Sequence, residues 1–197
     1  MKALKVRDLM IPLEDYATVS EDATLKEAVS ALKEAQETFD LTRYKQDSFD
    51  PSRYKHRAVL VQNNRGQVVG KLSQLDIIRG LEPKYFKIKE QDVLERFGYS
   101  KEYLLSMMGK YSLWDKPMRD ICRKALDIRV KDIMYTPSEG EYVNEDASLD
   151  EAIHQLIMGR HQSLLVVSGK KITGVLRLTD VFLEICDSIE SCEIQAR

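Results

Sequence analysis

The sequence contains one pattern twice, as Val19-Ser-Glu-Asp-Ala-Thr-Leu-Lys-Glu-Ala28 and as Val143-Asn-Glu-Asp-Ala-Ser-Leu-Asp-Glu-Ala152. A shorter motif, Val6-Arg-Asp-Leu-Met10, returns as Val130-Lys-Asp-Ile-Met134, and both pairs stand 124 residues apart. Two matches at one offset indicate an internal repeat. A repeat of this kind decides the architecture, because each copy must form the same structural unit.

Each copy also has a closing motif, either Gly70-Lys-Leu-Ser-Gln-Leu-Asp76 or Gly174-Val-Leu-Arg-Leu-Thr-Asp180. The closing motifs stand 104 residues apart instead of 124, so the first copy holds 20 additional residues before its closing motif. We place this insertion at about 38–57. The predicted organisation is a first domain at 1–82, a connection at 83–128, a second domain at 129–190 and a tail at 191–197.

Local signals predict the same β-α-β-β-α unit in both copies. Short strand candidates at 16–19 and 141–143 precede T-x-x-E and S-x-x-E capping boxes that begin at Thr24 and Ser148. Apolar residues then recur at i, i+3, i+4 and i+7, as on the core-facing side of a helix. Apolar runs at 58–61 and 164–167 are typical of buried strands. The fold class is therefore α/β, with two or three helices predicted in the connection.

Composition and charge argue against two classes of partner, nucleic acids and membranes. Of the 197 residues, 43% are hydrophobic and 31% are charged, which is typical of a globular protein. The formal net charge of -2 argues against a nucleic-acid partner. No apolar run approaches the roughly 20 residues that span a bilayer, and no signal peptide is recognisable, so we expect a cytoplasmic protein without a membrane partner.

Catalytic and metal-binding signatures are missing from the sequence. There is no Walker A loop, G-x-S-x-G or H-E-x-x-H motif. The three cysteines and three histidines have no metal-ligand spacing, and the carboxylates suggest no catalytic pair. The sequence therefore predicts neither an enzyme nor a metal site.

The order of the motifs, twice over, resembles the CBS domain family, which is named after cystathionine β-synthase. The D-L-M and D-I-M openings, the V-x-E-D-A segments and the glycine-to-aspartate closings carry this resemblance. It implies a Bateman module, in which two CBS units pair with pseudo-twofold symmetry. It also implies a regulatory ligand, such as AMP, ADP, ATP or S-adenosylmethionine, between the two domains, and no required cofactor. Because the repeats occupy both ends of this chain, we expect a stand-alone module that signals to a separate, unidentified protein.

The resemblance also assigns roles to residues. In the family, the closing aspartate accepts hydrogen bonds from ribose, and a Ser or Thr three residues earlier favours phosphate at a helix N-terminus. The first copy has this pair as Ser73 and Asp76, whereas the second has Arg177 before Asp180. Arg177 could contact phosphate or close the site, and Lys71 could add positive charge. The remaining implied contacts are positions that could equally belong to strand cores: Thr18, Val19, Arg57, Ala58, Val59, Tyr142, Val143, Ser163 and Leu164.

Several alternatives stay open at the level of sequence. Ser73-x-x-Asp76 is also an ordinary helix-capping pattern. The intact first motif favours a nucleotide sensor, whereas Arg177 favours a constitutive dimerisation scaffold with degenerate sites. Inside the insertion, the Phe39–Lys45 stretch resembles the Phe49–Lys55 stretch, and it is either a phosphate-contacting flap or a solvated loop.

Relatives of this kind usually associate through apolar helix faces, so we expect a homodimer. The candidate residues for its interface lie on the second helix of each unit: Ile77, Ile78, Leu81, Val181, Phe182 and Ile185.

Overall fold

A computed structural model describes residues 4–41, 58–88, 100–115 and 120–190. In these ranges the helices are α1 (Val6–Leu9), α2 (Leu25–Leu41), α3 (Gln74–Gly80), α4 (Lys101–Lys110), α5 (Ile121–Asp127), α6 (Leu149–Gly159) and α7 (Leu178–Glu190). The strands are β1 (Ile11–Pro12), β2 (Thr18–Ser20), β3 (Ala58–Gln62), β4 (Val68–Ser73), β5 (Tyr142–Asn144), β6 (Ser163–Ser168) and β7 (Lys171–Arg177).

Both repeats have the predicted β-α-β-β-α order, which confirms the α/β fold class. The first repeat runs β2-α2-β3-β4-α3 and the second runs β5-α6-β6-β7-α7. Their strands form one sheet in the order β2-β3-β4 and another in the order β1-β7-β6-β5. Strands β2 and β5 begin later than predicted. Glu141 is the last residue of a 3-10 turn, and the N–H of Tyr16 closes the 3-10 turn at Leu13–Asp15 by donating to the Leu13 carbonyl at 3.2 Å.

Both predicted capping residues begin their helices, and the reciprocal capping box forms at Thr24. The backbone N–H and the hydroxyl of Thr24 donate to Glu27 Oε2 at 2.7 and 2.8 Å, and the N–H of Glu27 donates back to Thr24 Oγ1 at 3.2 Å. Ser148 Oγ accepts the N–H of Glu151 at 3.2 Å. These contacts satisfy N–H groups that a helix start would otherwise leave unpaired.

The chain forms two compact units, and each combines parts of both repeats. Unit 1 contains the described residues of 1–18, 33–56 and 136–197, and unit 2 contains those of 19–32 and 57–135. The opening motif of each repeat therefore belongs to the unit that holds the closing motif of the other repeat. The domain boundaries predicted at 82, 129 and 190 stay predictions.

In unit 1, the opening motif of the first repeat binds the E-D-A segment of the second. The N–H of Val6 donates to the carbonyl of Ala147 at 3.1 Å, and Arg7 pairs with Asp146 at 2.8 Å. A hydrogen bond from Lys5 and the charge of Arg7 lower the pKa of Asp146 below its usual range. Val6 is fully buried in a core with these partners: Val143, Ala152, Leu156, Leu164, Val166, Leu176 and Val181.

In unit 2, the opening motif of the second repeat binds the E-D-A segment of the first. The N–H of Val130 donates to the carbonyl of Ala23 at 2.9 Å, and Val130 is fully buried. Lys131 Nζ lies 2.8 Å from Asp22 Oδ1. Their hydrogen bond lowers the pKa of the Asp22 carboxyl and raises the pKa of the Lys131 ammonium. The two signature motifs of the repeat are thus docking partners for each other.

The glycine of each closing motif lies where an exchanged strand comes close. Strand β1 pairs antiparallel with β7, placing Pro12 opposite Gly174, and a Cβ at Gly174 would overlap the carbonyl oxygen of Ile11. In unit 2, Lys71 exchanges two backbone hydrogen bonds of 2.9 Å with Tyr135. A Cβ at Gly70 would lie 2.8 Å from Met134 Sδ and 2.9 Å from the Tyr135 oxygen. Close backbone approach therefore explains both glycines.

Of the two or three helices predicted in the connection, the structure shows α4 and α5, and residues 89–99 and 116–119 lie outside the described residues. A buried carboxylate, Glu82, organises the described part by accepting the N–H of Trp114 at 2.8 Å. The indole N–H of Trp114 donates to Tyr85 Oη at 3.0 Å, and Lys124 Nζ donates to the Leu81 carbonyl at 2.7 Å. Trp114 thus packs within unit 2.

Candidate functional site

The first closing motif forms the junction between β4 and α3 in unit 2. The N–H and hydroxyl of Ser73 donate to Asp76 Oδ2 at 2.8 and 2.5 Å, and the N–H of Asp76 donates to Ser73 Oγ at 3.3 Å. The capping interpretation of this pair is therefore confirmed. The cap fixes the orientation of the carboxylate at the start of α3.

Asp76 keeps acceptor capacity after this cap is made. Its side chain is half-buried, and in the described ranges Oδ1 has no hydrogen-bond partner. Lys71 lies two residues before Ser73 on β4, so both side chains leave the same face of the strand. Lys71 Nζ lies 5.0 Å from the centre of the Tyr135 ring. One open carboxylate oxygen and one ammonium therefore share this region of unit 2.

Strand β3 brings one further predicted residue to this junction. Ala58 is opposite Ser73 and is half-buried, whereas Val59 is opposite Leu72 and is fully buried in the core. On β2, Thr18 is exposed and Val19 is half-buried. Arg57 and residues 42–57 of the insertion lie outside the described residues.

The second closing motif contains a buried ion pair. Arg177 Nε donates to Asp180 Oδ2 at 2.7 Å, and Arg177 Nη2 donates to Asp180 Oδ1. Only 6% of Arg177 and 3% of Asp180 is exposed. The guanidinium therefore engages both oxygens of the carboxylate, an arrangement that Ser73 cannot make with Asp76.

Tyr16 belongs to the surroundings of this ion pair, and the sequence did not single it out. Its side chain is buried, and burial raises the pKa of its phenol to about 12. The charge of Arg177 opposes this rise in pKa and the charge of Asp180 adds to it. The only sequence signal was an aromatic residue close before β2, which does not indicate a contact with the second repeat.

The other second-copy residues mostly serve the core. Ser163 is opposite Arg177 in the β6–β7 pair. Val143 and Leu164 are buried in the core of unit 1. Tyr142 is half-buried, and its carbonyl accepts a hydrogen bond from Gln155 Nε2 at 3.4 Å. For Val143 and Leu164, strand-core packing accounts for the residue type.

The helix faces expected to form a dimer interface divide into two groups. Leu81 and Val181 are 8% and 2% exposed, so their assignment to an open face was wrong: these side chains pack into their own units. Ile77 is half-buried, whereas Ile78, Phe182 and Ile185 are 55%, 61% and 38% exposed. With Leu178 and Ile189, the last two form an exposed apolar stripe along α7.

In the described residues, none of the helices is long and apolar enough to cross a membrane. Nor do His, Cys, Asp and Glu side chains in those ranges form a group of three that could hold a metal ion.

The family model of the CBS domain matches residues 6–83 and 130–187, more than half of the chain. The chain therefore belongs to the CBS domain family and carries the domain as a tandem pair. No curated protein matches the chain.

Solved structures of CBS proteins are similar in fold. CBSX2 from Arabidopsis thaliana is 16% identical, with a TM-score of 0.54 over 97% of this chain and 100% of that chain. CBSX2 in complex with AMP is 17% identical, with a TM-score of 0.55 over 93% and 97% of the two chains. A CBS domain-containing protein of unknown function from Bacillus anthracis is 17% identical, with a TM-score of 0.57 over 93% and 94%.

Proposed function

We propose that this chain is a regulatory module that binds an adenine nucleotide, with Asp76 as the carboxylate that accepts the ribose hydroxyls. The hydrogen bonding of the Asp76 carboxylate is the observation that supports this proposal. Ser73 fixes one carboxylate oxygen, while the other has no hydrogen-bond partner in the described ranges. An oriented carboxylate with an open acceptor suits a ribose diol, because charge-assisted hydrogen bonds are stronger than neutral ones.

Lys71 supports the same ligand class. Its ammonium lies on the face of β4 that also carries Ser73, 5.0 Å from the centre of the Tyr135 ring. A positive charge in this region favours a phosphate group. A structural neighbour, CBSX2, has been solved in complex with AMP, which favours an adenine nucleotide over other ribose compounds.

The proposal makes a first prediction, that Asp76→Ala weakens nucleotide binding roughly tenfold to a hundredfold. The expected loss of about 1.5–3 kcal/mol corresponds to a hydrogen-bonded charged group. The measurement is calorimetric titration of both proteins with AMP, ADP, ATP and S-adenosylmethionine. Bound nucleotide should also raise the melting temperature of the wild type, because the unfolded chain has no site.

A matched control separates ligand binding from helix capping. Glu27 caps α2 with Thr24 as Asp76 caps α3 with Ser73. Glu27→Ala therefore removes the same kind of cap, and we expect it to leave nucleotide affinity within about twofold. Equal binding by the wild type and Asp76→Ala would place the ligand elsewhere.

The scaffold function is the second candidate, and the exposed apolar stripe on α7 favours it. If no nucleotide gave heat in the titration or raised the melting temperature, the scaffold would become the favoured function. Neither candidate is an enzyme, because CBS pairs generally act as regulatory modules. Signalling to a separate protein in the cytoplasm is part of the proposal.

A further inference from the structure

The structure places Arg177 at the position that Ser73 occupies in the first repeat. Ser73 ends β4 opposite Ala58, and Arg177 ends β7 opposite Ser163. Each is followed three residues later by the closing aspartate, Asp76 or Asp180. The two junctions therefore have the same backbone register, and the residue before the helix distinguishes them.

The two aspartates differ in what remains available to a ligand. Asp76 is half-buried and offers Oδ1, whereas Asp180 is 3% exposed and both of its oxygens accept from the Arg177 guanidinium. A guanidinium presents two parallel N–H donors, as the two hydroxyls of a ribose would present two parallel O–H donors. Arg177 thus makes with Asp180 the contact that ribose makes with a closing aspartate in the proposed function.

A ligand cannot easily displace this arginine. Displacing the guanidinium from Asp180 would break a buried ion pair, and such a loss reduces affinity by about a hundredfold or more. Tyr16, buried in the same surroundings, offers no charge that could replace either partner.

We propose that Arg177 is a built-in substitute for ribose at the second closing motif, so that the chain binds one nucleotide, at Asp76. Asp180 then has a structural role. This inference rests on the proposed function for the nucleotide at Asp76, but the ion pair itself can be tested without any ligand.

Stoichiometry tests the inference with AMP as the probe. We expect the wild-type chain to bind one AMP, and the Arg177→Ser variant, which restores the hydroxyl found at Ser73, to bind two. Two AMP molecules per wild-type chain would overturn the proposal. One AMP per chain in a folded Arg177→Ser variant would also overturn it, because the arginine would then not be what closes the site.

A second measurement uses the wild-type protein and covers the case in which Arg177→Ser does not fold. The Nε–H of Arg177, assigned by its loss in Arg177→Lys, should exchange with water at least about tenfold more slowly than those of exposed arginines. Saturating AMP should leave this signal unchanged. Exchange at the rate of exposed arginines, or a large shift with AMP, would contradict the internal substitute. If no AMP binds, the proposed function fails while the exchange rate still decides the state of Arg177.

Discussion

At the scale of single residues, the buried phenol of Tyr16 links folding to alkaline pH. Burial raises its pKa from 10.0 to about 12, so the folded chain keeps a proton that the unfolded chain loses over this range. The free energy of unfolding should therefore be unaffected below about pH 10 and should fall between about pH 10 and 12. The contribution of one group is at most about 1.4 kcal/mol per pH unit.

Urea unfolding of the wild type and Tyr16→Phe across this range measures the effect. The other tyrosines and the lysines are common to both proteins, so the difference between the two curves isolates Tyr16. The wild type should lose stability more steeply than Tyr16→Phe. Parallel curves would show that the phenol does not titrate abnormally in the folded state.

The sequence located both closing motifs but could not decide the fate of Arg177. An arginine three residues before an aspartate can reach it or can extend towards a phosphate, and both outcomes have the same spacing. What decides is the burial of the pair inside unit 1, where its charges act on Tyr16, a residue more than 160 positions away in the chain. The Asp76 junction was more predictable, because its cap depends on contacts within four residues.

At the scale of elements, the helices and strands followed local signals, whereas the exchange of opening motifs did not. The repeat supplies Glu-Asp-Ala at 21–23 and again at 145–147, so Val6 has two identical candidate partners in the sequence. Repetition thus predicts the contact but cannot say which copy provides it. Neither Gly70 nor Gly174 has a positive φ, so backbone conformation does not require glycine at either position. The repeated glycine instead reflects the close approach of another part of the backbone, which we did not predict from the sequence.

The close approach of backbone at both closing motifs predicts that Gly174→Ala and Gly70→Ala lower the free energy of unfolding by different amounts. At Gly174 an added Cβ would overlap the backbone oxygen of Ile11, and backbone in a sheet cannot move aside cheaply. At Gly70 the added Cβ would lie 2.8 Å from the flexible Met134 side chain and 2.9 Å from the backbone oxygen of Tyr135, a milder backbone overlap than the one at Gly174. Gly174→Ala should therefore destabilise the chain by about 1–3 kcal/mol or more, and Gly70→Ala by less.

Chemical denaturation of the two alanine variants compares these costs. Gly66→Ala is the control for strain without crowding, because Gly66 has a φ of +71° and nothing within 4 Å of its would-be Cβ. Equal stability of Gly174→Ala and the wild type would mean that β1 does not lie against β7 in solution.

At the scale of the whole molecule, the exposed stripe on α7 predicts self-association. Phe182, Ile185 and Ile189 are 61%, 38% and 66% exposed along one side of this helix. A contiguous apolar face of this kind favours an interaction surface, and a C2 dimer is the commonest closed assembly. Light scattering should therefore give about twice the chain mass of 22.7 kDa, with or without nucleotide.

Paired substitutions identify the face that carries this association. Phe182→Ser with Ile185→Ser should lower the measured mass to that of one chain, because the stripe loses its apolar centre. The matched control is Ile157→Ser with Met158→Ser on α6, where the original side chains are 66% and 71% exposed. We expect the control to keep the dimer mass. A monomeric wild type would refute the dimer, and dissociation by the control alone would move the interface from α7 to α6.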